Sequence, residues 1–430
     1  LNPLLNAYCT VMADQAREAA VEAEAAVMKG EPLGPLHGVP VSLKDLILTK
    51  GVRTTWGSKL YEHFIPDEDA PVVERLKQAG AIILGKTNTP EFGWKGVTDN
   101  LVFGITRNPW DLDRTPGGSS GGAGAAVAAG LGPLAVGTDG GGSIRIPSSL
   151  SGVFGLKPSF GRVPIYPASL NETLTVTGPM SRTVRDAALM LSVIAGPDER
   201  DRHSLPVSGV DYLKALEGGI RGLRVAWSPD LGYAAVDPEV RALTAEAVRV
   251  FEDLGCHIEE ADPGFDDPEP IWETLVDAAL GARLGGYLPE WHDRIDPPLV
   301  RIIEEGKAMR AVQLMQASFQ RVALWDTVRR FFARYDLLLT PTVAVPPFAV
   351  GVEAPVEIAG RKVTRRAWFA FTHPFNLTGQ PAASVPCGWT KEQLPVGLQI
   401  VGRRFEEVTV FRAAAAFEAA APWADRRPRF

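Results

Sequence analysis

Apolar and polar positions along this chain follow two periods, and the switches between them mark out an α/β protein. From Ala70 to Leu84 the pattern is helix then strand: Asp69-Ala70-Pro71 opens a helix, Val72, Val73, Leu76 and Ala79 recur at helical spacing, Gly80 stops it, and Ala81 to Leu84 is a short apolar strand. The same order returns further on. Leu223 to Trp227 reads as a strand, Asp237-Pro238 caps a helix whose Val240, Leu243, Ala247, Val250 and Leu254 share a face, Gly255 ends it, and Cys256 to Glu260 reads as another strand. Strand and helix in alternation build parallel sheet with helices on both faces.

Between these stretches, Gly121 to Gly130 predicts a helix of small residues, with Ala123, Ala125, Ala126, Ala128 and Ala129 suited to close packing on a sheet. Leu134 to Gly137 predicts a buried strand that runs into Gly140-Gly141-Gly142. Residues 267–335 read as mostly helical, with amphipathic runs at Val300 to Met309 and Phe319 to Phe332, and Tyr335 to Leu339 and Ala383 to Pro386 then return as strands. Without an internal repeat or a low-complexity linker, residues 1–430 are expected to form one α/β domain with a helical excursion at 267–335.

Composition narrows the classes of function. Of the 430 residues 45% are hydrophobic and 22% charged, a globular balance that excludes disorder as the default. The net charge of −7, with no basic run, argues against a nucleic-acid footprint. Cys9, Cys256 and Cys387 are odd in number and show no C-x-x-C spacing, so neither a disulfide framework nor a thiolate zinc site is expected, and a reducing cytoplasm fits. No stretch approaches 18 consecutive apolar residues, and the first residues carry neither the basic nor the apolar block of a signal peptide, so membrane and secretion are not expected.

Three glycine-rich segments compete for the chemistry. Gly80 to Thr87 satisfies the phosphate-binding pattern G-x-x-x-x-G-K-T, which would make Lys86 a nucleotide ligand, but its four variable positions are Ala-Ile-Ile-Leu, residues of a strand and not of a loop. Gly117 to Gly121 fits G-x-S-x-G, which would make Ser119 a nucleophile with a histidine partner. That motif needs a strand immediately before the serine, and Asn108 to Pro116 is turn-rich. The six histidines are scattered along the chain. The third segment, Gly137-Thr138-Asp139-Gly140-Gly141-Gly142-Ser143-Ile144-Arg145, carries its serine 24 residues after Ser119. Three glycines behind a strand leave backbone N–H groups uncovered, able to converge on an oxyanion beside a serine hydroxyl. By itself the segment is also the sequence of a tight turn.

Taken together, Gly117-Gly118-Ser119-Ser120-Gly121-Gly122, Gly137 to Pro147 and Gly155-Leu156-Lys157-Pro158 closely resemble the signature block of the amidase signature family. Gly38 to Asp45 is similar to that family's lysine segment, and Val396 to Gly402 to its C-terminal strand. The similarity covers roughly residues 35–195 and 335–415 and is weakest in the middle. It implies a large mixed sheet covered by helices, and hydrolysis of a C–N bond through a Ser-cisSer-Lys triad: Ser143 as nucleophile, Ser119 as relay after a cis peptide at Gly118, and Lys44 as base.

On this resemblance Lys44 must be neutral to accept a proton, and burial beside Val41 and Leu43 would depress its pKa. The N–H groups of Gly140, Gly141, Gly142 and Ser143 would form the oxyanion hole, Ser120 would support the site through hydrogen bonds, and Asp139 and Arg145 either hold the loop's shape or form a plain surface pair. Neither metal nor organic cofactor is implied, the substrate would be a small-molecule amide, carbamate or ester, and the enzyme a monomer or homodimer. The family's other branch, the glutaminase component of the tRNA-dependent amidotransferase, usually has Gln where this chain has Ile146 and often Cys where it has Ser151, so a stand-alone hydrolase is favoured. The pocket is expected from Phe92 to Asn100 and from residues 268–332, where Trp272, Tyr287, Trp291, Phe319 and Trp325 either line it or fill the core.

Overall fold

Eleven strands among the described residues pair into one mixed sheet. The structure, a computed structural model, describes residues 1–171 and 173–430. In chain order the strands are β1 (Tyr8–Val11), β2 (Pro40–Lys44), β3 (Ile82–Thr87), β4 (Leu134–Asp139), β5 (Phe154–Lys157), β6 (Val176–Ser181), β7 (Arg224–Trp227), β8 (His257–Glu260), β9 (Leu337–Pro341), β10 (Ala382–Trp389) and β11 (Pro395–Gly402). Across the sheet they lie β1-β3-β2-β4-β6-β5-β10-β11-β9-β7-β8. The helix-linked strands β3, β2 and β4, and again β9, β7 and β8, run parallel, as the alternating pattern requires, while the strands between are antiparallel.

The sheet is buried on both faces. Along β9, Leu337 and Leu339 enter one apolar core and Leu338 the other, and Val225 and Ala226 of β7 divide in the same way, which is the two-residue period of a strand. Several helices matter to the site: α1 (Pro71–Gln78), α2 (Gly121–Ala128), α3 (Arg145–Ser151), α4 (Pro238–Asp253), α5 (Glu269–Leu284), α6 (Pro297–Ala308) and α7 (Ala311–Arg334). Asp237 caps α4 by accepting from the backbone N–H of Glu239 and Val240. All eight residues of α2 are buried, and a Cβ at Gly122 would collide with the backbone of Ala7 and Asn88, so its small residues are what lets this helix sit against the sheet edge.

The strand read at Ala81 to Leu84 extends through Lys86 to Thr87, and the one read at Leu134 to Gly137 extends to Asp139. Strand β6 carries no sequence signal, because Gly178 and Pro179 interrupt it. Both are fully packed, and a Cβ at Gly178 would collide with the Leu156 carbonyl of its neighbour β5. Helices α5, α6 and α7 fill residues 269–334.

Helices α5 and α6 cross at two glycines, Gly281 and Gly306, whose backbones touch. Alanine has the higher helix propensity by about 1 kcal/mol. A Cβ at Gly306, however, would collide with the Asp277 carbonyl. Gly306→Ala is therefore expected to destabilise the fold by about 1–3 kcal/mol, seen as a lower denaturation midpoint. A raised midpoint would show that the crossing is loose.

Candidate active site

Parallel strands β2 and β4 end side by side, which brings Lys44, the last residue of β2, next to Thr138 and Asp139 at the end of β4. The C-terminal edge of parallel strands is where α/β sheets place ligands. The Lys44 side chain is fully buried, and its Nζ lies 2.7 Å from Ser119 Oγ, 3.0 Å from Thr138 Oγ1 and 3.5 Å from the Thr138 carbonyl. No carboxylate among the described residues pairs with it within 4.0 Å. Burial drives its pKa well below the ordinary 10.5, and the more distant negative charge of Asp139 pulls only partly the other way. A neutral amine has two donors and one lone pair, so it can donate to the Thr138 oxygens and accept the Ser119 hydroxyl proton.

Ser119 follows a cis Gly118–Ser119 bond in a segment of turns, with no strand before it. Glycines leave it room: a Cβ at Gly93 would lie 3.2 Å from Ser119 Oγ, and one at Gly118 would lie 2.7 Å from the Val97 backbone. Ser120 ties this segment to β4. Its N–H donates to the Ser143 carbonyl at 3.1 Å, and its hydroxyl donates to the Thr138 carbonyl at 3.2 Å and accepts from the Thr138 N–H at 3.3 Å. Ser143 is half-buried and lines the same cavity as Ser119. Its hydroxyl has no hydrogen-bond partner among the described residues, so it is free to turn toward Ser119 or toward a ligand.

Asp139 and Arg145 are not a surface pair, since both side chains are fully buried at 2.9 Å. The carboxylate accepts from the N–H groups of Gly142, Ile144 and Arg145, from the Arg145 guanidinium and from Asn376. Burial alone would raise its pKa, but Arg145 beside it holds it well below the usual carboxylate range. Arg145 also donates to the Thr372 carbonyl, Gln399 and Asn376. Such satisfaction is what a buried ion pair needs to offset its desolvation.

This network decides which glycine amides are free. The Gly142 N–H donates to Asp139 at 2.8 Å, so Gly142 is removed from the expected oxyanion hole. The amides of Gly140, Gly141 and Ser143 have no partner among the described residues. Because a peptide unit is planar, fixing one carbonyl fixes the next N–H on the opposite side. Trp272 Nε1 donates to the Gly140 carbonyl at 2.9 Å and so aims the Gly141 N–H, and Thr372 Oγ1 donates to the Gly141 carbonyl at 2.6 Å and so aims the Gly142 N–H at Asp139.

A cavity of about 290 Å³ opens over Ser119 and Ser143. Trp272 and Tyr287 line it as expected, together with Phe92, Trp94, Lys95 and Gly96 from the Phe92 to Asn100 segment, and Ile146 closes part of its floor. Trp291, Phe319 and Trp325 do not line it. Phe319 is 68% exposed, Trp325 lies under Arg404, and Trp291 lies under Arg294. Sequence reading missed Trp56 and Tyr61, which face the cavity, and the segment 164–171 on its other side. Trp56 and Phe92 both adopt left-handed backbone, at φ 53 and 52, and are joined by a 2.7 Å bond from the Phe92 N–H to the Trp56 carbonyl. Bulky residues hold such a conformation, which costs about 1–2 kcal/mol each, only where their surroundings enforce it. No histidine lines the cavity among the described residues.

Lys86 belongs to no phosphate loop. It lies within β3, fully buried, donating to the Ile47 carbonyl and to the hydroxyls of Thr49 and Thr54, and burial lowers its pKa to about 8. The glycine before it is explained by packing, since a Cβ at Gly85 would strike the Thr10 carbonyl of β1. A nucleotide-binding role for this segment is thereby overturned.

The model of the family described as Amidase matches residues 1–411. The whole chain aligns at 43% identity with an acylamidase of Rhodococcus erythropolis, over 91% of that protein. At 40% identity, 99% of the chain aligns with the first, or A-type, component of the glutamyl-tRNA(Gln) amidotransferase of Moorella thermoacetica, over 91% of that component. The crystal structure of a bacterial aryl acylamidase of the amidase signature family superposes with a TM-score of 0.93 at 36% identity, covering 98% of this chain and 90% of that one.

Removing one partner of the buried pair leaves the other charge uncompensated. Arg145→Met is expected to cost about 3–5 kcal/mol of stability in urea denaturation, and a loss below about 1 kcal/mol would mean that Asp139 finds its compensation elsewhere.

Proposed function

The chain belongs to the amidase signature family of amide-hydrolysing enzymes, and from that premise we propose that it is a stand-alone acylamidase using Ser143 as nucleophile, Ser119 as relay and Lys44 as base. The observation that carries this reading is the buried Lys44 amine, free of any paired carboxylate, 2.7 Å from the Ser119 hydroxyl. Neutral Lys44 takes the Ser119 proton as Ser119 takes that of Ser143, and Ser143 Oγ bonds to the substrate carbonyl carbon. The carbonyl oxygen becomes an oxyanion facing the N–H groups of Gly140, Gly141 and Ser143. As it collapses, Ser119 gives its proton to the leaving nitrogen, the C–N bond breaks, and the acyl group stays on Ser143. Water, deprotonated through the same two groups, then releases the acid. The unbonded Ser143 hydroxyl closes on Ser119 by rotation about χ1, a tightening that substrate-free sites commonly need.

The aromatic walls of the cavity, from Trp56, Tyr61, Phe92, Trp94, Trp272 and Tyr287, support a bulky or aryl amide over a small polar one. Carbamates and esters present the same carbonyl to the same nucleophile. In this reading residues 1–430 act as one unit, because α5 supplies both a cavity wall and the hydrogen bond that aims the Gly141 amide. The 40% identity to an amidotransferase component favours a glutaminase half-enzyme as the second reading. The apolar Ile146 side chain in the cavity lining weighs against it, since a glutamine side chain needs polar partners there.

Ser143→Ala is expected to lower kcat for an aryl amide by at least about 10³-fold with the unfolding midpoint unchanged, and full activity in that variant would place the nucleophile elsewhere. Activity needs the deprotonated amine, whose pKa is lowered by burial. The kcat/KM profile should therefore rise with pH through one ionisation that lies well below the ordinary lysine value. A rate that increases as pH falls from about 8 to about 6 would contradict the role of Lys44.

A further inference from the structure

The charges around the cavity are lopsided. No aspartate or glutamate lines it among the described residues, while Lys95 and Arg283 do. Lys95 is neutralised, with Asp99 and Asp296 each at 2.8 Å. Arg283 is not: it has no carboxylate within 4.0 Å among the described residues, and its one hydrogen bond is a long 3.4 Å contact from Nη2 to the Ala168 carbonyl. Arg200 and Arg241, also exposed, hold carboxylates at 2.6 and 2.8 Å. That Ala168 contact places the Arg283 guanidinium between α5 and the segment 164–171, both of which border the cavity. A cleft lined by one sign of charge with low-dielectric walls concentrates ligands of the other sign.

The helix sets a length. Trp272, held on the glycine loop, and Arg283 both lie on α5, and at 1.5 Å per residue their Cα atoms are separated by about 16 Å along its axis. Helical side chains lean toward the N-terminus, Trp272 as well as Arg283, and an extended arginine leans further than an indole, so its charge stands roughly 10–14 Å from the loop. We propose that Arg283 is an anion subsite of this cavity, and that the substrate is an amide one half of which ends in a carboxylate roughly 10–14 Å from the scissile carbonyl. A guanidinium fork binds a carboxylate through two parallel N–H···O bonds, which fixes orientation as well as charge. The inference rests on the reading of Ser143, Ser119 and Lys44 given above.

The test uses two pairs of anilides. Undecanedioic acid monoanilide carries the carboxylate on the acyl half and 5-(4-acetamidophenyl)pentanoate carries it on the amine half, each roughly 12 Å from the scissile carbonyl, and each is compared with the same compound ending in hydroxymethyl. Release of the aromatic amine reports kcat/KM. In the wild-type enzyme the acid of at least one pair should exceed its alcohol by about 10-fold or more, with the excess shrinking as salt is added. Arg283→Gln should bring that ratio close to one, and Arg283→Lys should keep part of it. A general loss of stability lowers both rates and leaves the ratio where it was. Ratios near one for both pairs in the wild type, or a ratio that survives Arg283→Gln, would overturn the proposal. Continued hydrolysis of all four compounds by Ser143→Ala would instead overturn the reading of the triad.

Discussion

An amine sealed from water, with no carboxylate within 4.0 Å among the described residues, is the constraint around which this site is built. Burial pushes Lys44 toward its uncharged form and outweighs the pull of Asp139, a carboxylate already bonded to Arg145 and to three backbone amides. The two buried charges thus satisfy each other beside Thr138, whose oxygens bond the Lys44 amine, the base of the proposed triad. If the Arg145 guanidinium were lost, Asp139 would keep its amide donors but lose its counter-charge near Lys44, and the ammonium form would be favoured. In the proposed reading the ion pair therefore protects the protonation state of Lys44 as well as the shape of the loop.

The loop that follows β4 is aimed from outside. Its glycines give it freedom, and two distant side chains remove that freedom one peptide at a time: Trp272 from α5 holds the Gly140 carbonyl, and Thr372 holds that of Gly141. The helical segment in the middle of the chain, where resemblance to the family's motifs is weakest, thus borders the cavity and also sets the direction of an amide in the glycine loop. Its seat depends on Gly281 and Gly306, which let α5 and α6 touch backbone to backbone. Sequence variation in this segment can then tune both what enters and how well the loop is ordered.

Local pattern carried the parts of the fold that depend on local pattern. The β3, β4, β7 and β8 strands and the α1, α2 and α4 helices were legible because apolar spacing and caps such as Asp237 are short-range signals. Strand β6 was not, since Gly178 and Pro179 read as a break and are instead accommodated by tight packing on β5. Within the site, Lys44, Ser119 and Ser143 were legible only through a long motif shared with a family. Lys44 meets the loop that carries Ser143 because β2 and β4 are parallel neighbours, and Ser119 joins them through the Ser120 bonds to Thr138, contacts between residues far apart in sequence. Commitment of the Gly142 amide to Asp139 could not be read from three identical glycines. Nor could Trp56 and Tyr61 be found, because aromatic residues in a loop carry no period. The same lack of context left Trp291, Phe319 and Trp325 open between pocket and core, and all three lie outside the cavity lining.

What most directly tests the central claim is where a covalent bond forms. Treatment of the protein with a fluorophosphonate, followed by proteolysis and mass spectrometry, should locate the phosphonyl group on Ser143, with labelling that grows as pH rises and Lys44 loses its proton. A label on Ser119, on Ser120 or on a serine outside the cavity would contradict it.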